Sequence, residues 1–319
     1  MTHIPDHVEA GVEQPDAGAF GPHDAAIDEV AAPGHTRRQV RREQVRLLLR
    51  SPGFIIGCLI GGLWIFSSIW PEVLTVWGSK DTVVDASGKT LLRVPPNDVA
   101  WFGTDRLARD VYSRVIFGAR PILITAPVAT LIAVIIGTLL GMWTGYFRGW
   151  VDEVLSRILE AMLSIPTILL AIVIVFTFGP TPAVIIGTIA FLFIAPIART
   201  VRAATLSESQ LDYVTAARLR GEKSLYIITR EIFPNIVGVV VVEVTVRLGY
   251  AVFTLATLAF LGLSGGNVTD PNWGVDVAQN YQQIVAGVWW PTIFPALAIG
   301  SLVIGVNLIA DSIERATKT

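Results

Sequence analysis

Six long apolar runs divide the chain, at residues 54–76, 121–146, 154–178, 182–200, 236–262 and 289–310. An α-helix needs roughly 20 apolar residues to cross a bilayer, so each run reads as one crossing. The first is interrupted late by Pro71, and the short link Gly179-Pro180-Thr181-Pro182 forces two runs into an antiparallel hairpin. The pattern predicts an all-α polytopic membrane protein with six transmembrane helices. A small extracytoplasmic segment, 77–120, follows the first, and a core of five crossings fills 121–312.

The polar stretches between the runs differ in kind. Residues 1–36 carry Asp6, Glu9, Glu13, Asp16, Asp24, Asp28 and Glu29 without a Lys or Arg, among Ala, Gly and Pro. Such a tail cannot bury a core and is expected to be disordered, and it lacks the basic start and apolar centre of a signal peptide. The sign then flips. Arg37, Arg38, Arg41, Arg42, Arg46 and Arg50 share the segment 37–53 with Val40, Val45 and Leu47 to Leu49, which predicts an amphipathic helix lying on anionic headgroups. With an inside N-terminus, six crossings return the tail 313–319 to the cytoplasm. Sixteen of the 24 Lys and Arg residues then lie on the cytoplasmic side and seven in the outer segment 77–120, as the positive-inside tendency requires.

Composition agrees: 52% of residues are hydrophobic and 16% charged, with a mean hydropathy of +0.59. Cys58 is the single cysteine, which leaves no intrachain disulfide or cysteine metal site. The four histidines, His3, His7, His23 and His35, all stand in the tail, so the membrane part holds none for a proton relay or a metal.

Four stretches carry candidate chemistry. Ser207 to Asn235 is a polar, basic loop. Ser207 with Gln210 has the form of a capping box, Leu211, Val214 and Ala217 recur at helical spacing, and Gly221 stands where a helix ends. A second short helix, 224–233, closed by Pro234, completes an elbow, and the small Ala216 and Ala217 allow another protein close to the backbone. In the outer segment, Asp85 to Gly88 reads as a hairpin turn, while Thr104 caps a helix whose Asp105–Arg109 and Asp110–Arg114 pairs stand four residues apart. Leu107, Val111 and Val115 would form that helix's apolar face. Ser87-Gly88-Lys89-Thr90 imitates the end of a phosphate-binding loop, but Val83 stands where the first glycine belongs, so the energy source must be another chain. Inside the membrane, Glu243 and Arg247 are four apart, either a structural pair or a pair lining a path. Arg157 with Glu160 reads as a structural pair near an inner helix end.

The elbow resembles the "EAA" loop of ABC-importer permeases: Ala216, Ala217, Gly221 and Phe233-Pro234 match, with Thr215 in place of Glu. The outer segment closely resembles the signature of the C-type subunit of dipeptide/oligopeptide/nickel permeases in Gly103-Thr104-Asp105, Arg109-Asp110, Ser113-Arg114 and Gly118-Ala119-Arg120, with Ala108 replacing the usual Gly. Trp273-Gly274 and the stretch from Asn307 to Arg315 match too, so the likeness covers roughly 40–319.

The resemblance implies a type I ABC importer permease fold and a non-catalytic subunit in a bacterial plasma membrane. Its partners would be a second homologous permease, one or two cytoplasmic ATPase subunits and an extracytoplasmic substrate-binding protein, with no nucleic acid. ATP and Mg would sit on the ATPases, and this chain would bind no cofactor and no metal. The resemblance puts ATPase coupling at Tyr213, Thr215, Ala216, Ala217, Gly221 and Pro234. It puts outer-surface contact at Asp105, Arg109, Asp110, Arg114 and Trp273, and makes Glu243 and Arg247 candidates for the substrate path. The implied cargo is di- and oligopeptides, with nickel or haem as alternatives. A secondary transporter or channel is the reading from another class; it would show internal repeats or an intramembrane proton relay, and the sequence offers neither.

Overall fold

A computed structural model of the chain describes residues 48–267 and 269–318. The acidic tail and most of the basic stretch lie outside them. Five helices among the described residues are long and apolar enough to cross a membrane, or six if a bent pair counts as one span. Extended structure there is limited to three isolated antiparallel bridges.

The first crossing, α1 (Pro52–Ile69), is shorter than the apolar run. Pro71 cannot continue it and instead opens the four-residue α2 (Pro71–Leu74). The outer segment follows and ends in α3 (Val111–Phe117), which leads through Gly118 into α4 (Ala119–Tyr146). The run at 154–178 is two helices, α5 (Trp150–Ser164) and α6 (Thr167–Phe178), meeting at 92°. Pro166 explains the break: it has no N–H to donate, and it holds the preceding Ile165 extended, at φ −89° and ψ 131°.

After the Gly179–Pro182 link, α7 (Pro182–Glu208) runs well past the expected end of its apolar run. It packs along α4 in the most extensive helix pairing of the structure. Gly137, Gly141 and Gly145 make that approach possible, since a Cβ on each would stand 2.7–2.8 Å from Ile197, Val201 and Thr205. Small residues at membrane helix contacts work this way because lipid supplies no hydrophobic push and close van der Waals contact must hold the pair. The short α8 (Asp212–Leu219), α9 (Ser224–Tyr226) and a π-helical turn (Ile227–Ile232) lead into α10 (Phe233–Phe260). On the far side of α10 come α11 (Trp273–Asn280), a 3-10 turn (Tyr281–Ala286) and the closing α12 (Trp290–Lys318).

Candidate functional site

The elbow is built from residues 207–235, but not with the expected boundaries. Ser207 and Gln210 do not cap a helix. Ser207 and Glu208 finish the last turn of α7, Ser209 caps its C-terminal end, and Leu211 occupies the N-cap position of α8 without a side-chain cap. The C-terminal end of α8 does follow the glycine signal. Gly221 has φ +76°, its N–H donates to the Arg218 carbonyl, and the Glu222 N–H donates to that of Ala217. These are the two bonds of a Schellman end, which needs a left-handed residue. Pro234 does not close a second helix. The turn before it widens so that the Phe233 N–H reaches the Ile228 carbonyl, and Pro234 falls in the first turn of α10, where its missing N–H leaves no gap.

The elbow has two faces. Val214 and Ala217 are fully buried and join Ile227, Ile228 and Ile232 in the main core. Thr215 and Ala216 are exposed, beside Leu219 at 85% exposure and Leu225 at 71%. Of the two alanines, then, only Ala216 faces outward. Two side chains pin the inner face to the spans. The Tyr213 hydroxyl donates to Glu208 Oε1 (2.6 Å) at the end of α7 and accepts from Asn235 Nδ2 (3.0 Å) at the start of α10. Burial and the bond to Glu208 push the Tyr213 hydroxyl up to about 12, so it stays a donor at neutral pH. The Arg218 guanidinium lies 4.9 Å from the ring of Tyr146, at the C-terminal end of α4.

Between α2 and α4 the structure corrects the expectation of a salt-bridged surface helix over 104–115. Residues 104–110 are a loop, because Ala108 takes φ +59°. The helix starts at Val111, capped by Asp110, whose Oδ2 accepts from the Ser113 N–H (2.8 Å) and hydroxyl (2.6 Å). Asp105 does pair with Arg109, at 2.6 Å, but Arg114 turns away from Asp110. It donates through Nε (2.8 Å) and Nη2 (2.5 Å) to Asp276 Oδ1 on α11, and through its terminal nitrogens to the carbonyls of Ser79, Thr269 and Asp270. Burial pushes the Asp276 carboxyl up, to about 6, against the pull of Arg114.

Asp105, Arg109, Asp110 and Arg114 are each no more than 5% exposed, and Trp273 is fully buried. These five therefore lie beneath the surface, not on it. Leu107 is exposed, unlike Val111 and Val115. Trp273 donates to the Val115 carbonyl (2.7 Å) and meets Trp64 edge-on, while Trp290 is buried and donates to the Thr104 carbonyl (3.0 Å). The hairpin turn at 85–88 forms as expected, and Asp85 Oδ1 takes up the N–H groups of Ser87 and Lys89.

In the membrane, Glu243 accepts from Arg247 Nε at 2.9 Å. Arg247, but not Glu243, lines a cavity of about 530 Å³, with Tyr250 of α10, Met162 and Leu163 of α5, Thr167 of α6 and Phe193 of α7, among others. Arg157 pairs with Glu153 (3.3 Å), not with Glu160. Arg202 holds Asp152 through two 2.7 Å bonds that join α7 to the start of α5. That contact, the Tyr213 bridge and the Arg218–Tyr146 contact escaped sequence reasoning, since each links residues from different elements. The glycines at every fourth residue of α4 were a readable sign of the α4–α7 contact.

Residues 137–319 match the family described as "Binding-protein-dependent transport system inner membrane component". The chain is 33% identical over 275 residues to the dipeptide transport system permease protein DppC of Alkalihalophilus pseudofirmus, which covers 86% of this chain and 88% of that protein. It is 34% identical over 276 residues to DppC of Escherichia coli (84% and 89%). Over 216 residues it is 40% identical to the glutathione transport system permease protein GsiD of Shigella flexneri (68% and 71%). With its membrane-spanning helices and its elbow, the chain belongs to the binding-protein-dependent transport system inner membrane components, the permease subunits of ABC importers.

Proposed function

We propose that this chain is one of two homologous permeases that together enclose the path of an ATP-driven importer of di- and oligopeptides. An extracytoplasmic binding protein delivers the cargo, and cytoplasmic ATPase subunits, which carry the ATP and Mg, press on the elbow. Both chain ends then lie in the cytoplasm of a bacterial cell. The observation that carries this reading is the two-faced elbow. Thr215, Ala216 and Leu219 face outward, while Tyr213 and Arg218 tie the same short helix to α4, α7 and α10. A push on that face is transmitted to three spans at once. The peptide cargo is supported by relatives named for dipeptide and glutathione transport.

The test is uptake of a labelled dipeptide, a longer peptide, nickel and haem by cells lacking the gene, complemented with the wild type or Gly221→Asp. The expected result is peptide uptake restored by the wild type and not by Gly221→Asp, with both proteins present in the membrane. The variant puts a charge beside the exposed face and a side chain at a left-handed position. Restoration of nickel or haem alone would replace the cargo and keep the machine. Full uptake by Gly221→Asp would remove the elbow from the mechanism.

A further inference from the structure

Arg247 stands halfway along α10 and is the one charged residue lining the 530 Å³ cavity among the described residues. Glu243 is 8% exposed and does not line the cavity. The pair is therefore a fixed dipole with its positive end toward the cavity. Its hydrogen bond uses Nε, which leaves the two terminal nitrogens of the guanidinium without a hydrogen bond among the described residues. The Tyr250 ring flanks the guanidinium at 5.5 Å. Two parallel N–H groups on a planar fork are what a carboxylate accepts best, and a cavity with apolar walls strengthens that contact. No carboxylate among the lining residues offers a matching place for an ammonium group.

We infer that Arg247 receives the free α-carboxylate of a peptide in transit, so that this permease itself discriminates against peptides with a blocked C-terminus. Other lining groups are apolar or hydroxylic, such as Phe193, Phe253 and Thr257, and tolerate varied side chains. The inference rests on the peptide reading above.

The test uses the whole complex in proteoliposomes, with its binding protein and ATPases. ATP-driven uptake of a labelled tripeptide is compared with uptake of the same tripeptide amidated at its C-terminus. The binding protein meets both peptides identically in every arm, so its own preference cancels when variants are compared. A parallel titration of the detergent-solubilised permease–ATPase complex, with the binding protein omitted, removes that filter entirely. A charge-assisted contact of this kind corresponds to a preference of roughly 10- to 100-fold. Arg247→Gln should lower the acid-to-amide preference by about that factor, and Arg247→Lys by less. An unchanged ratio in Arg247→Gln overturns the inference alone. Equal loss of both peptides in Arg247→Gln and Arg247→Lys makes the pair structural and also overturns it. Wild-type complex that moves neither peptide while moving another cargo overturns the peptide reading first.

Discussion

The segment around 103–120 and the elbow bury different kinds of residue. Around 103–120, Asp105, Arg109, Asp110 and Arg114, with Asp276 of α11, are charged and buried, bonded to one another or to the chain. At the elbow, Leu219 and Leu225 are apolar and exposed, on two short helices whose neighbours are basic. A buried charge with a partner in its own chain holds the fold. An exposed leucine with no partner in its own chain offers itself to another. The stretch at 103–120 is by this comparison mainly architecture. The elbow is where another protein has room to act.

The strongest way to break the comparison is to remove Arg114. It is 2% exposed and joins α3 to α11 and to the carbonyls of the outer loop, with the Asp276 carboxylate as its counter-ion. Arg114→Ala strands that carboxylate, which costs about 3–5 kcal/mol when a buried pair loses one member. The expected outcome is loss of folded protein, read as a large fall in detergent melting temperature and in membrane abundance. Arg114→Met with Asp276→Leu should recover much of it, because an apolar pair leaves no charge behind. Normal abundance with specifically impaired binding-protein docking would instead make the cluster a recognition site.

The elbow should behave in the reverse manner. Leu219→Asp changes a residue that is 85% exposed, so stability should move by no more than about 0.5 kcal/mol. If Leu219 anchors an ATPase contact, truncation at such a point costs roughly 1–2 kcal/mol or more of docking. Copurification of the ATPase and uptake should then fall about tenfold or more while abundance holds. Retained copurification would shift the docking face toward Leu225 and Tyr226.

The contrast was only half legible in the sequence. The crossings were legible because hydropathy over some 20 residues is a strong local signal, and Gly221 was legible because one residue type satisfies a left-handed helix end. The capping box at Ser207 misled because Ser207 belongs to the last turn of α7, with Gln210 in the turn just beyond its end. Pro234 misled because a widened turn, invisible in residue types, admits it at a helix start. The spacing of Asp105, Arg109, Asp110 and Arg114 imitates a helix face, yet Arg114 finds its partner 162 residues away. A pairing of that range has no local signature. The intramembrane cavity was equally hidden, since it depends on the 92° bend at Pro166 setting α5 and α6 against α10.

Ala108 gives the finest cut at the comparison, because it tests how tightly the outer loop is built. It holds φ +59° in the middle of the buried cluster, with its N–H on the Asp105 carbonyl (3.1 Å) and its own carbonyl taken by the Val83 N–H (2.8 Å). A left-handed conformation costs a residue with a Cβ about 1–2 kcal/mol, which Ala108→Gly would return. The same change loses a fully buried methyl, worth about 0.8 kcal/mol, and frees the unfolded chain by about 0.4–1 kcal/mol. These contributions nearly cancel. The expected shift in melting temperature is therefore within roughly 2 °C of zero. Near-neutrality would explain how alanine stands here at all: its packed methyl offsets the strain of its backbone. A clear rise on Ala108→Gly would show the loop strained and loosely packed around that methyl. A clear fall would show that the packing around residue 108 outweighs the backbone, and that the outer cluster tolerates no loss of volume even where the conformation favours glycine.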